Sequence, residues 1–375
     1  MIVFIFTAFL VIFFFDMSQA QDVQQPAPFK GKRAILDGDI PLWTDPTALD
    51  RRLLRIKEAG FNVYMPTVWQ GRGTVWPSRY ADWDTKLATH SKTNFDPLHH
   101  LIQKAHALGI EVHPWFTVTL RQEDIFPELA TPGTPARAFD VHNQAFHELI
   151  TNLVGEVVAT YDVDGINLDY VRAIDLCFNQ TCKADYSSRY GRDINRDAAL
   201  LKIVPGMAGP LVEYQKSAVT AMVRSISENI RAIKPNILIS ADVFVGHAPL
   251  NQGQDSVSWV NSGLVDVLLR MDYFRRLNIE SMEATRSELH NPDAQSFLIS
   301  NMSNPEELGA RKDNFARDGS WLADTISMVL DRWPETGIAV YFYKYLTDEQ
   351  VQALKRGPFR SSNTSPVPPE NVRAN

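Results

Sequence analysis

A single parallel (β/α)8 barrel, the TIM-barrel class of α/β fold, is what three features of this chain predict. Short apolar runs of strand character alternate with amphipathic runs of helical period through residues 33–357. Helix-ending signals fall between them, as at Gly60, Gly109 and Pro235. Aspartates recur where strands end, and in such a barrel the strand ends open on the site. The rival doubly wound sheet would want a Gly-rich fingerprint after the first strand, and none is present.

Two segments precede the barrel. Ile2 to Phe15 is an apolar run too short to span a bilayer comfortably, and Ser18-Gln19-Ala20 supplies small residues for cleavage. Residues 1–20 therefore read as a signal peptide, with an uncleaved membrane anchor as the alternative. Either places the folded part outside the cytosol. Residues 21–32 form a polar arm. The first strand covers 33–37. Asp45-Pro46 then caps a helix with Leu49, Leu53 and Ile56 on its apolar side, and 61–69 is the second strand. The loop from 70 to about 93 is long and aromatic enough to cover a site. Asp96-Pro97 opens the next helix and 110–116 is the third strand. Its Glu111, His113 and Trp115 share one face, either the barrel interior or the helix side.

A helical run over 146–160 leads into the fourth strand. Here Ile166, Leu168 and Tyr170 lie on one face, Asn167 and Asp169 on the other. Residues 183–210 read as a polar insertion and 211–232 as a helix. The remaining strands are placed at 237–244, 265–273, 297–301 and 337–343, with helices at 321–333 and 347–355. The Ser/Pro-rich tail, 358–375, is expected to be disordered.

The chain has 375 residues and a formal net charge of -7. Mild acidity argues against nucleic acid and anionic membrane surfaces, which require clustered Lys and Arg. With the signal removed, no stable membrane insertion is expected. Cys177 and Cys182, the two cysteines, read as a disulfide in an exported chain, with free thiols as the alternative. No Gly-x-Ser-x-Gly elbow occurs, the glycines around Arg72 lack the Lys-Ser/Thr of a phosphate loop, and no zinc-binding His pair stands in a catalytic setting. No metal or cofactor is expected. Asn179, Asn301 and Asn363 fit the N-glycosylation pattern.

Asp169, Asp242 and Asp272 fall at the ends of strands four, five and six. A carboxylate pair across one bond is what glycoside hydrolysis needs: one protonates the leaving oxygen, the other attacks the sugar carbon or activates water. Asp169 is the expected nucleophile and Asp242 the expected acid, with Asp272 behind it. At least one of the three is expected to anchor an arginine or a loop instead. Candidates for holding the sugar are Asp37, Arg72, Trp76, His113, Trp115, Asn167, Arg172, Tyr273 and Tyr341, polar and aromatic groups at or near strand ends.

The run Tyr161-Asp-Val-Asp-Gly-Ile-Asn-Leu-Asp-Tyr-Val-Arg172 resembles the signature strand of the glycosyl hydrolase-like 10 family and of a neighbouring uncharacterised hydrolase-like family. Ala59-Gly60-Phe61-Asn62 with Trp76-Pro77-Ser78, Phe95-Asp96-Pro97-Leu98 through His113-Pro114-Trp115-Phe116, and Ser240-Ala241-Asp242-Val243-Phe244 agree in order and spacing. The resemblance spans roughly 33–345. It implies a TIM barrel and cleavage of a polysaccharide or oligosaccharide outside the cytoplasm, in the secreted, periplasmic or cell-envelope space. Asp169 matches the family's acidic residue on the fourth strand. The chain departs at Tyr170, where many members carry a second acid. The alternatives are a catalytically inactive carbohydrate-binding barrel of the cell envelope, or a structural envelope protein.

Overall fold

The computed structural model describes residues 28–87, 95–130, 133–135, 137–246 and 249–360. The expected signal peptide, most of the arm, part of the 70–93 loop, Asn363 and the tail from 361 onward lie outside the described residues.

Eight parallel strands close into a barrel. They are β1 (Arg33–Asp37), β2 (Val63–Trp69), β3 in two pieces (Glu111–Val112 and Trp115–Thr117), β4 (Gly165–Asp169), β5 (Leu238–Phe244), β6 (Val267–Asp272), β7 (Gln295–Ser300) and β8 (Ile338–Tyr341). Each pairs with its neighbours in chain order and β8 returns to β1. The expected TIM barrel is thus the fold observed. The break in β3 falls at His113-Pro114, where proline has no N–H to give to a ladder.

Helices fill the connections: α1 (Pro46–Ala59), α2 (Pro97–Ala107), α3 (Gln144–Thr160), α4 (Gln180–Tyr190), α5 (Ile194–Ile203), α6 (Gly209–Ile233), α7 (Ser256–Asn261), α8 (Ile279–Glu288), α9 (Gly319–Arg332) and α10 (Asp348–Arg356). Local chemistry sets their starts. The Asp45 carboxylate accepts from Ala48 N at 2.8 Å and Asp96 from His99 N at 3.0 Å, satisfying amides that a first turn leaves unpaired. The reading of 183–210 as one polar insertion needs correction. It holds α5 and most of α4, capped by Asn179 and Asp193, and Tyr186, Ile194, Leu211 and Tyr214 give it a small core of its own. The Cys177–Cys182 disulfide, with Cα atoms 6.0 Å apart, closes the loop that enters α4. Helices α7 and α8 had no sequence reading because they bury only Trp259, and Met282 with Thr285, too few for a visible stripe.

Strand alternation divides the side chains into two layers. Ile35, Tyr64, Ile166, Leu168, Ile239 and Ile299 face outward against the helices. Ala34, Leu36, Met65, Trp115, Leu269 and Leu298 fill the barrel. This division decides which strand-end residues reach the mouth.

Candidate active site

The site is built on β4 and β5. On β4, Ile166 and Leu168 are committed to the helix layer, so Asn167 and Asp169 must point into the barrel. On β5 the same rule turns Ile239, Ala241 and Val243 outward and Ser240 and Asp242 inward. The register Asn167↔Ser240, Leu168↔Ala241 brings Asp169 and Asp242 to adjacent places one step further on. Asn167 Nδ2 ties the two strands, donating to Ser240 Oγ and to Asp242 Oδ1, both at 3.0 Å.

The two carboxyls differ in their surroundings. Asp169 is 6% exposed; its Oδ1 accepts from Tyr170 N at 2.6 Å and its Oδ2 from Trp115 Nε1 at 3.3 Å. Burial pushes its pKa up to about 6, against the pull of the Arg172 charge and the two hydrogen bonds. Asp242 is fully buried, and its Oδ2 has no partner among the described residues. Burial and then the charge of Asp169 drive it well above the ordinary carboxylate range, against the Asn167 hydrogen bond. The two acids therefore titrate as a pair, with Asp169 ionising first.

Aromatic groups complete the mouth. Tyr273 and Tyr341, inward at the ends of β6 and β8, stack with centroids 5.0 Å apart, and Trp115 meets Tyr341 edge-on at 6.3 Å. Burial and the charges of Asp169 and Asp242 raise both phenols, which stay protonated donors at neutral pH. Arg172 lies over the Tyr170 ring at 4.4 Å and the Phe244 ring at 4.7 Å. Tyr170 adopts a left-handed conformation, φ 50°, where the chain turns out of β4. Thr119 Oγ1 holds that turn, its one proton lying within reach of both the Tyr170 and the Arg172 carbonyl, at 2.7 and 2.8 Å.

Five candidates from the sequence lie elsewhere, and each needs correcting. Asp272 shares the outward face of β6 with Leu268; its oxygens accept from Asn278 N at 2.6 Å and Phe274 N at 3.4 Å, anchoring the following loop. Asp37 is outward on β1 and binds Arg52 of α1 and Tyr64 Oη, both at 2.8 Å. Arg72 is turned into its own loop, on Asp84 at 2.8 Å. Trp76 is wholly buried against Phe116 and gives its Nε1–H to Glu156 of α3 at 2.9 Å. His113 does face inward but sits at the opposite end of the barrel. Its Nε2 is 3.1 Å from Glu111, and a Cβ on Gly165 would come 2.8 Å from its ring. Of the candidates, Asp169, Asp242, Trp115, Asn167, Arg172, Tyr273 and Tyr341 gather at the mouth. Sequence reasoning passed over Ser240, which counting back two residues from Asp242 would have found. It also passed over Phe244, whose role as a face for Arg172 leaves no local signal. Asn301, proposed as a glycan acceptor, is fully buried and donates to Gln350 Oε1 at 3.0 Å.

Residues 39–137 and 133–296 match the family described as Glycosyl hydrolase-like 10. The glycosyl hydrolase DigH of Escherichia coli (strain K12) is 22% identical over 267 residues, covering 60% of this chain and 58% of the relative. This chain thus spans less than two thirds of that relative's length. Among solved structures, the PgaB (BpsB) glycoside hydrolase domain from Bordetella bronchiseptica aligns with a TM-score of 0.61 at 12% identity, over 86% of this chain and 98% of that one. The catalytic domain of β-amylase from Paenibacillus polymyxa aligns with a TM-score of 0.60 at 10% identity, over 88% and 97%. At such identities the structural likeness is one of fold. The family match covers well over half of the sequence and includes both mouth aspartates, and the chain belongs to the glycosyl hydrolase-like 10 family.

Proposed function

We propose that this protein is an exported glycoside hydrolase that cleaves a polysaccharide or oligosaccharide between Asp169 and Asp242. The observation that carries the reading is the contrast between two adjacent inward acids. Asp242, fully buried with one oxygen free, is pushed well above the ordinary carboxylate range by burial and by the Asp169 charge, so it is the member of the pair suited to give a proton to the leaving oxygen. Asp169 ionises first and can attack the sugar carbon or balance its developing positive charge. Neighbouring parallel strands lie about 4.8 Å apart, close to the roughly 5 Å separation of a retaining pair. Tyr273, Tyr341 and Trp115 offer rings and donors to a bound sugar. The family and the glycoside hydrolase fold relatives support this reading. Export is supported by the disulfide, which suits an oxidising compartment. No helix among the described residues is long and apolar enough to cross a membrane.

One observation favours the second reading, glycan binding without cleavage: both acids are covered, Asp169 at 6% exposure and Asp242 at none. A glycan screen with analysis of released reducing ends separates the two. Cleavage that disappears in Asp169→Asn, with folding intact, is the expected result. Undiminished turnover in that variant would remove Asp169 from the mechanism. Retention of a glycan with no product from the wild type would establish the binding protein.

A further inference from the structure

We infer that Arg172 receives an anionic group of the substrate, so that the glycan bears carboxylates. This rests on the hydrolase reading above and narrows its substrate class. Among the described residues, the other arginines with buried guanidinium groups have acceptors. Arg52 binds Asp37 and Arg72 binds Asp84, both at 2.8 Å; Arg317 binds Glu307 and the carbonyls of Ser300 and Tyr273 at 2.8 and 2.7 Å. Arg172, half-buried, differs: among the described residues no hydrogen bond or ion pair engages any nitrogen of its guanidinium, and Nη1 is sealed from solvent. Arg33, Arg231, Arg270 and Arg286 also keep one sealed nitrogen without a partner, but each is held through another. A buried donor left unmade is costly, and natural folds keep such groups where something else completes them.

Two aromatic rings flank the guanidinium. The guanidinium lies 4.4 Å from the Tyr170 ring centroid and 4.7 Å from that of Phe244. Contact with those rings leaves chiefly the N–H edges for hydrogen bonding, so the partner must approach in the plane. A carboxylate offers two in-plane oxygens to that fork, where a hydroxyl offers one neutral acceptor. Asp169 and Asp242 both feel the Arg172 charge, yet neither forms an ion pair with it. The anionic group would therefore sit beside the cleaved bond without displacing either acid.

The test takes the full chain and a panel of oligosaccharides from polygalacturonate, alginate, hyaluronan, cellulose, chitin and xylan. Each acidic member is paired with its own form in which carboxyls are reduced to primary alcohols. Cleavage by the wild type and retention by Asp169→Asn are both read. The expected result is a kcat/KM at least about tenfold higher for an acidic glycan than for its reduced twin. In Arg172→Gln that ratio falls to about one. Arg172→Lys keeps part of it, since a point charge attracts without the paired bonds, and it serves if the glutamine variant does not fold. Preference for a neutral glycan, or an acid preference unchanged in Arg172→Gln, overturns the inference and leaves the hydrolase reading standing. No cleavage and no retention of any member overturns both.

Discussion

Four aspartates at or near strand ends fall into two pairs, and the pairs live in different chemistry. Asp37 and Asp272 point outward into the helix layer, where their oxygens are taken up by Arg52, Tyr64 and loop amides. Asp169 and Asp242 point into the barrel, where Asp242 has a single side-chain donor and a free oxygen. Sequence position is nearly the same for all four. What separates them is the parity of each strand. An outward acid is saturated by its own chain and holds the fold together. An inward acid is left with capacity, which costs stability and is available for chemistry.

The widest gap should appear in turnover. Asp242→Asn is expected to lose about three orders of magnitude or more in kcat, as removal of a catalytic acid does. Asp272→Asn should stay within about tenfold of wild type, because an amide oxygen still accepts from Asn278. Equal losses in the two variants would erase the distinction between the pairs. A second gap lies in stability. Arg52→Met strips the buried Asp37 of its counter-ion and should cost about 3 kcal/mol in urea unfolding at pH 7. A loss below about 1 kcal/mol would mean that Tyr64 and the Asp39 amide suffice.

The smallest effect is the most diagnostic of the inward pair. Asp169 has a folded pKa of about 6 against an ordinary 3.8, so the folded state binds its proton more tightly than the unfolded chain does. Stability from this group is therefore complete below pH 4 and is lost as pH rises through 6. Asp169→Asn never ionises. It should be more stable than wild type by about 3 kcal/mol at pH 8 and nearly indistinguishable from it near pH 4. Thermal melts at the two pH values check this, and a variant less stable at pH 8 would show Asp169 to be a structural anchor.

Much of the barrel was legible because its repeats carry separate local signals. Asp45 and Asp96 cap helices where their position before Pro46 and Pro97 says they should. The β4 faces could be told apart because Ile166 and Leu168 differ in polarity from Asn167 and Asp169. On β6 the run Val267-Leu268-Leu269 is apolar on both sides, as a fully buried parallel strand is, so the outward turn of Asp272 left no trace. The same holds for His113: alternation placed it on the face of Trp115, but not at which end of the barrel its ring would settle. Trp76 looked like a rim residue since a long aromatic loop suggested a cover. It is instead the peg that fastens that loop to Glu156 of α3.

By itself the sequence determined the alternation of strands and helices, the family, the cystine and the aspartate on the fourth strand. Each of these is written in short-range patterns of polarity, capping and spacing. Only the tertiary structure decided which strand-end groups share the mouth. Barrel closure, strand register and the choice of inner face are set by packing between segments distant in the chain, and those relations have no local imprint.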